Sequence, residues 1–108
     1  MKNILLIGGS TGIGYELSKK LVENNNVFVS TRNTEIFEGT EIKTQKLNLD
    51  DDFDLDWLPD QIDGFVYLPG TINLRPFKGI KPSSFIDDFN INVMGCVKIL
   101  QKVLPRLQ

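Results

Sequence analysis

A doubly wound α/β fold, with helices covering a parallel sheet of about four strands, is what this 108-residue sequence predicts. Three observations carry that prediction. In Asn3-Ile4-Leu5-Leu6-Ile7 the run Ile4 to Ile7 is unbroken apolar and stops at Gly8-Gly9, as a strand buried on both faces of a parallel sheet does. A glycine turn and an amphipathic helix follow at once. Further β-rich runs and a long second helix complete the order strand, turn, helix, strand, strand, strand, helix, which right-handed crossovers wind into one sheet.

The first strand is therefore central. In the first helix Ile13, Leu17, Leu21 and Val22 recur at three-to-four spacing while Glu16, Lys19, Lys20 and Glu23 fall between them, which predicts a helix from Gly12 to Asn24. Asn24-Asn25-Asn26 ends it. Val27-Phe28-Val29-Ser30 is the second strand, and Ile42 to Leu47 the third, placed near a sheet edge by Lys43 and Lys46. Thr31 to Glu41, between them, has apolar content for one short helix at most. Asp50, Asp51, Asp52, Asp54, Asp56, Asp60 and Asp63 crowd the next stretch. They lack the glycine and terminal glutamate of a calcium loop and read as caps on a solvated connector. Gly64-Phe65-Val66-Tyr67-Leu68 is the fourth strand, closed by Pro69-Gly70. From Pro82, a residue suited to a first helical turn, a helical pattern runs to Pro105. Phe85, Phe89, Asn92, Cys96, Ile99 and Val103 step along it by four and three, which predicts one apolar stripe with Asn92 buried inside it and Cys96 as a small core residue.

Composition bounds the function. With 41% hydrophobic and 24% charged residues the chain is an ordinary globular domain with one core, residues 1–108. Twelve Lys+Arg against fourteen Asp+Glu leave a net charge of -2, with no basic excess to neutralise a nucleic-acid backbone. Histidine is absent and Cys96 is the single cysteine, which excludes an intrachain disulfide, a histidine triad and a His- or Cys-rich zinc site. Only Ile4 to Ile7 separate Met1-Lys2-Asn3 from the glycines, far short of a signal-peptide core or a membrane span, so the expectation is a cytoplasmic protein without a membrane partner.

The chemistry concentrates in Gly8-Gly9-Ser10-Thr11-Gly12-Ile13-Gly14, between the first strand and the first helix. There backbone N–H groups and the positive end of the helix dipole converge on an anion. No Gly-Lys-Ser/Thr follows, so it is not a Walker loop, and the spacing Gly8-x-x-x-Gly12-x-Gly14 is not G-x-G-x-x-G either. In such a loop Gly8 makes the turn, Gly12 lets the backbone approach a pyrophosphate, and Gly14 allows close helix-to-strand packing.

This loop resembles that of the short-chain dehydrogenase/reductase family, TGxxxGxG after the first strand, with Ile7 in place of the threonine. A family motif NNAG ends the fourth strand; here Tyr67-Leu68-Pro69-Gly70 keeps only the glycine, and Ile7, Tyr67 and Leu68 read together as apolar substitutes in a divergent member. A third match is Asn92-Val93-Met94-Gly95 with Leu104-Pro105, after the family's N-x-x-G in the long helix. The resemblance spans essentially the whole chain. It implies a Rossmann-type sheet and a dinucleotide held by Gly8, Ser10, Thr11, Gly12, Ile13, Gly14, Asn48, Leu49, Leu68, Pro69 and Gly70. It further implies a catalytic role for Asn92, which in the family loosens the helix and holds a water of the proton relay. The family's catalytic serine and Tyr-x-x-x-Lys lie beyond the long helix, and the sequence ends at Gln108. The expectation is therefore the cofactor-binding half of an oxidoreductase that interconverts a carbonyl and an alcohol on a small-molecule substrate, as a homodimer or homotetramer when full-length. The alternative is a non-catalytic dinucleotide-binding or scaffold module of the same fold.

Cofactor choice is read at the end of the second strand. Thr31 stands where the family's NAD-selecting Asp would fall, and Arg32 is next. A guanidinium pairs bidentately with a 2′-phosphate, and the missing carboxylate removes the repulsion that would exclude it. NADP(H) rather than NAD(H) is the expected cofactor.

Overall fold

The computed structural model describes residues 1–48, 52–69 and 77–107. Four parallel strands form one sheet in the order β3-β2-β1-β4: β1 Lys2–Ile7, β2 Asn25–Thr31, β3 Lys43–Lys46 and β4 Gly64–Tyr67. The expected parallel sheet is therefore present, with β1 central between β2 and β4 and β3 at an edge. Leu5, Leu6 and Ile7 are fully buried. Because side chains alternate across a strand, Leu5 and Ile7 join Phe28, Leu58, Ile62, Ile99 and Val103 on one face, while Leu6 joins Val27, Val29, Phe37 and Ile42 on the other. That division is the packing meaning of a sheet wound on both sides.

Helix α1, Gly12–Leu21, lies on the second face with Leu17, Leu21 and Val22 packed inward. It stops three residues before the expected Asn24. Glu23 N–H donates to Lys20 O and Asn24 N–H to Leu21 O, three residues back, so the last turn tightens as helix ends do. Asn25 then enters β2, its side-chain amide donating to Leu21 O at 3.0 Å, so β2 starts two residues before Val27, in register with Lys2 and Asn3. Between β2 and β3 a single 3₁₀ turn, Glu35–Phe37, buries Phe37 against Tyr15, with ring centroids 5.9 Å apart.

The Asp-rich connector does two jobs, of which the sequence showed one. Asp54 Oδ1 accepts the N–H of Asp56 at 2.9 Å, and Asp63 Oδ2 that of Asn3 at 2.8 Å, the expected capping use. Asp50 and Asp51 lie outside the described residues. Between the aspartates, Leu58 is buried while Phe53, Leu55 and Trp57 pack on the first core. Arg106 fastens this segment by donating to the carbonyls of Leu55, Leu58 and Pro59 at 3.0, 3.3 and 3.4 Å.

The long helix is broken in a specific way. Helix α2, Pro82–Phe89, passes through a π turn, Asn90–Met94, into α3, Gly95–Val103, and ends in a 3₁₀ turn, Leu104–Arg106. The π turn uses five residues where an α turn uses four, which rotates everything before it relative to everything after it. For that reason the expected single stripe splits. Ile99 and Val103 are buried and Cys96 half-buried, whereas Phe85, Phe89 and Asn92 are exposed. The expectation of a buried Asn92 is thus corrected.

Candidate functional site

All four strands end at one edge of the sheet, and the chain reverses direction across it. From β1 it moves outward through β2 to β3, then returns to the opposite side of β1 as β4, so the β1–β4 boundary is the switch point where such folds open a crevice. The glycine loop fills the β1 side. Gly8 has φ 72° and its N–H donates to Ser30 O at 2.6 Å, tying the loop to the end of β2. A Cβ on Gly8 would sit 3.2 Å from the ring of Pro69, which follows β4, while Leu68 N–H donates to Ile7 O at 2.9 Å. Gly14 is closer still: a Cβ there would lie 2.7 Å from Gly9 Cα and 2.8 Å from Leu68 Cδ1. Ser18, buried one turn on, donates to Gly14 O at 2.7 Å. Gly8, Gly14, Leu68 and Pro69 are therefore brought into one contact.

Gly12 differs from its neighbours. It has φ 56° and, among the described residues outside its own turn, no atom within 4 Å of where a Cβ would stand, so it leaves open a space at the start of α1 that a side chain would enter. Thr11, the N-cap, makes no side-chain capping bond, and the first N–H groups of a helix have no partner within it. Ser10 is half-buried and Ile13 exposed on the same turn. At the end of β2 Thr31 is buried and Arg32 exposed; Asn48, also exposed, follows β3. Parallel pairing sets these positions at the glycine-loop edge. Leu49 and Gly70 lie outside the described residues.

Two side chains stand differently from their sequence reading. Tyr67, expected as an apolar substitute, uses its polar end: the hydroxyl donates to Ile91 O at 2.6 Å, joining the last residue of β4 to the π turn. Burial first, and the neighbouring Cys96 thiol second, raise its pKa from the ordinary 10.0, keeping the phenol protonated as a donor. A tyrosine at a strand end beside an N-x-x-G helix was the available signal. A Tyr-x-x-x-Lys spacing occurs within the chain, at Tyr15 and Lys19. It lies on α1, where Lys19 Nζ stands 5.0 Å from the Tyr15 ring centroid as a cation–π pair.

No protein-family model and no curated protein matches the chain. Many solved structures do. A short chain dehydrogenase family protein from Francisella tularensis subsp. tularensis SCHU S4 superposes with a TM-score of 0.83 at 23% identity, over 100% of this chain and 47% of its own. This chain has the fold of half a short-chain dehydrogenase/reductase. A short-chain dehydrogenase/reductase from Saccharomyces cerevisiae gives 0.83 at 21% identity, over 98% of this chain and 49% of its own. ElxO in its NADP-bound structure gives 0.72 at 22% identity, over 94% and 50%. The chain thus spans about half the length of these proteins. Among the described residues no helix is long and apolar enough to cross a membrane.

Proposed function

We propose that this chain is the nucleotide-binding half of an NADP(H)-dependent oxidoreductase of the short-chain dehydrogenase/reductase family that interconverts a carbonyl and an alcohol. The observation that carries the proposal is the open space at Gly12, at the N-terminus of α1 and beside the switch point, where a positive φ and a missing Cβ admit a pyrophosphate. The bound dinucleotide supplies the hydride. This chain's part is to hold and orient it: backbone N–H groups of Ser10 to Gly14 at the pyrophosphate, Arg32 at the 2′-phosphate, Asn48 and Leu49 at the adenine, and Leu68, Pro69 and Gly70 along the crevice. Asn92, on the loosened turn of the long helix, serves the proton relay. Binding of NADP and NADPH by ElxO supports the choice of cofactor class. The exposed Phe85, Ile86, Phe89, Val93 and Val97 support a homodimer or homotetramer of the full-length protein, read by sedimentation.

Calorimetric titration of the full-length protein with each cofactor tests the proposal. NADP(H) binds more tightly than NAD(H), and Arg32→Ala weakens NADP(H) about tenfold, near 1.4 kcal/mol, while leaving NAD(H) unchanged. Equal binding of the two cofactors, or equal weakening by Arg32→Ala, overturns the NADP assignment. Binding with no NADPH oxidation by any simple aldehyde or ketone makes the chain part of a dinucleotide-binding module instead.

A further inference from the structure

We infer that Tyr67 is a positioning residue: its hydroxyl holds the π turn Asn90–Met94 against the end of β4 and so fixes where Asn92 stands. This rests on the role proposed above for Asn92. In an α-helix the N–H of Gly95 would donate to Ile91 O, four residues back; here it donates to Asn90 O, five back. Gly95 thus passes over the Ile91 carbonyl, which accepts the Tyr67 hydroxyl, 24 residues away in sequence, at 2.6 Å. Asn92 is the next residue.

Two further features show that this contact is fitted. A Cβ on Gly95 would run into the Tyr67 hydroxyl, so the helix leaves room for the phenol at the one residue where the π turn becomes α3. The bond also sits at a mechanical boundary. α3 is anchored by buried Gly95, Ile99 and Val103, whereas α2 buries no residue, so α2 contributes no buried anchor to the turn. A side chain that only filled space would need no hydroxyl there.

The test uses Tyr67→Phe, Gly95→Ala and their combination in the full-length protein. Tyr67→Phe speeds amide hydrogen exchange in the π turn about tenfold while leaving β1 and α1 amides unchanged. It also lowers kcat for NADPH oxidation by a panel of simple aldehydes and ketones about tenfold, with the Kd for NADPH within about twofold of the native value. Gly95→Ala lowers Tm in the native background and much less in the Tyr67→Phe background, where the nearest ring atom left is 3.4 Å from the new Cβ. Native exchange and native kcat in Tyr67→Phe, or strictly additive Tm changes, overturn the inference. Asn92→Ala separates the two levels: inactive beside a fully active Tyr67→Phe, it overturns the positioning of Asn92 alone, whereas native turnover in Asn92→Ala overturns the proposed role of Asn92 and the inference built on it.

Discussion

Around Gly9 and Gly14 the chain crosses itself closely enough that a Cβ at Gly14 would lie 2.7 Å from backbone. Around Gly95 room is as short, but the obstructing atom is the end of a tyrosine side chain. One crossing is shaped by what its residues lack and rests on rigid backbone. The other is shaped by one added hydroxyl and rests on a side chain that can swing. Both lie at the carboxyl edge of the sheet, so the site proposed above has one stiff wall and one adjustable wall. Substitutions of similar chemistry at the two glycines should therefore have unequal costs.

The largest expected effect is at the stiff wall. In Gly14→Ala the new methyl meets Gly9 Cα and Leu68 Cδ1 together, so either α1 or the loop must move; overpacking of this kind costs about 1–3 kcal/mol, and this site belongs at the upper end. Gly95→Ala should cost less, because the phenol can rotate away at the expense of one hydrogen bond of about 1 kcal/mol. Urea midpoints at constant slope check the order. A larger loss at Gly95 than at Gly14 would break the distinction between the walls.

The same difference explains how much of the site was legible. Gly8, Gly12 and Gly14 are constrained by local backbone conformation and close approach, which leave a fixed spacing in seven consecutive residues. The Tyr67–Ile91 bond depends on strand and helix being folded together, so the tyrosine at the strand end and the N-x-x-G of the helix signal it only when the two are set side by side. Asn92 was placed in the apolar stripe because regular 3.6-residue periodicity was carried through Asn90–Met94, and the extra residue of the π turn alters that phase. The places of β1 and β3 were legible, since a strand whose Ile4 to Ile7 are all apolar belongs at the centre and a lysine-bearing strand at an edge. The connector was half legible: its aspartates announce caps, but Leu58 and Trp57 pack into the core on a segment that Arg106 fastens from 48 residues beyond Leu58.

A smaller effect sharpens the comparison within the glycine loop. Gly12→Ala meets no atom of the described residues beyond its own turn, so its stability cost is that of a left-handed alanine, about 1 kcal/mol. Its methyl does enter the space assigned to the pyrophosphate. Dinucleotide affinity of the full-length protein should fall about tenfold or more, out of proportion to the stability change. Calorimetric titration beside urea unfolding separates the two quantities, and an unchanged Kd would remove Gly12 from the binding surface.

The smallest effect is the pH response of the adjustable wall. Burial, and then Cys96, raise the Tyr67 pKa above its ordinary 10.0, so the folded chain holds this proton more tightly than the unfolded chain does. Whatever stability that preference contributes is fully present below about pH 10, the unfolded value. It is lost as pH rises through the folded pKa, because the unfolded chain releases the proton first; a phenolate, besides, cannot donate to Ile91 O. The difference between the stability profiles of native protein and Tyr67→Phe reads the contribution of this hydroxyl. That difference should be constant from about pH 7 to about pH 9 and shrink above about pH 10. A difference that stays constant through the alkaline range would mean that the Tyr67 hydroxyl is not the donor that holds the π turn.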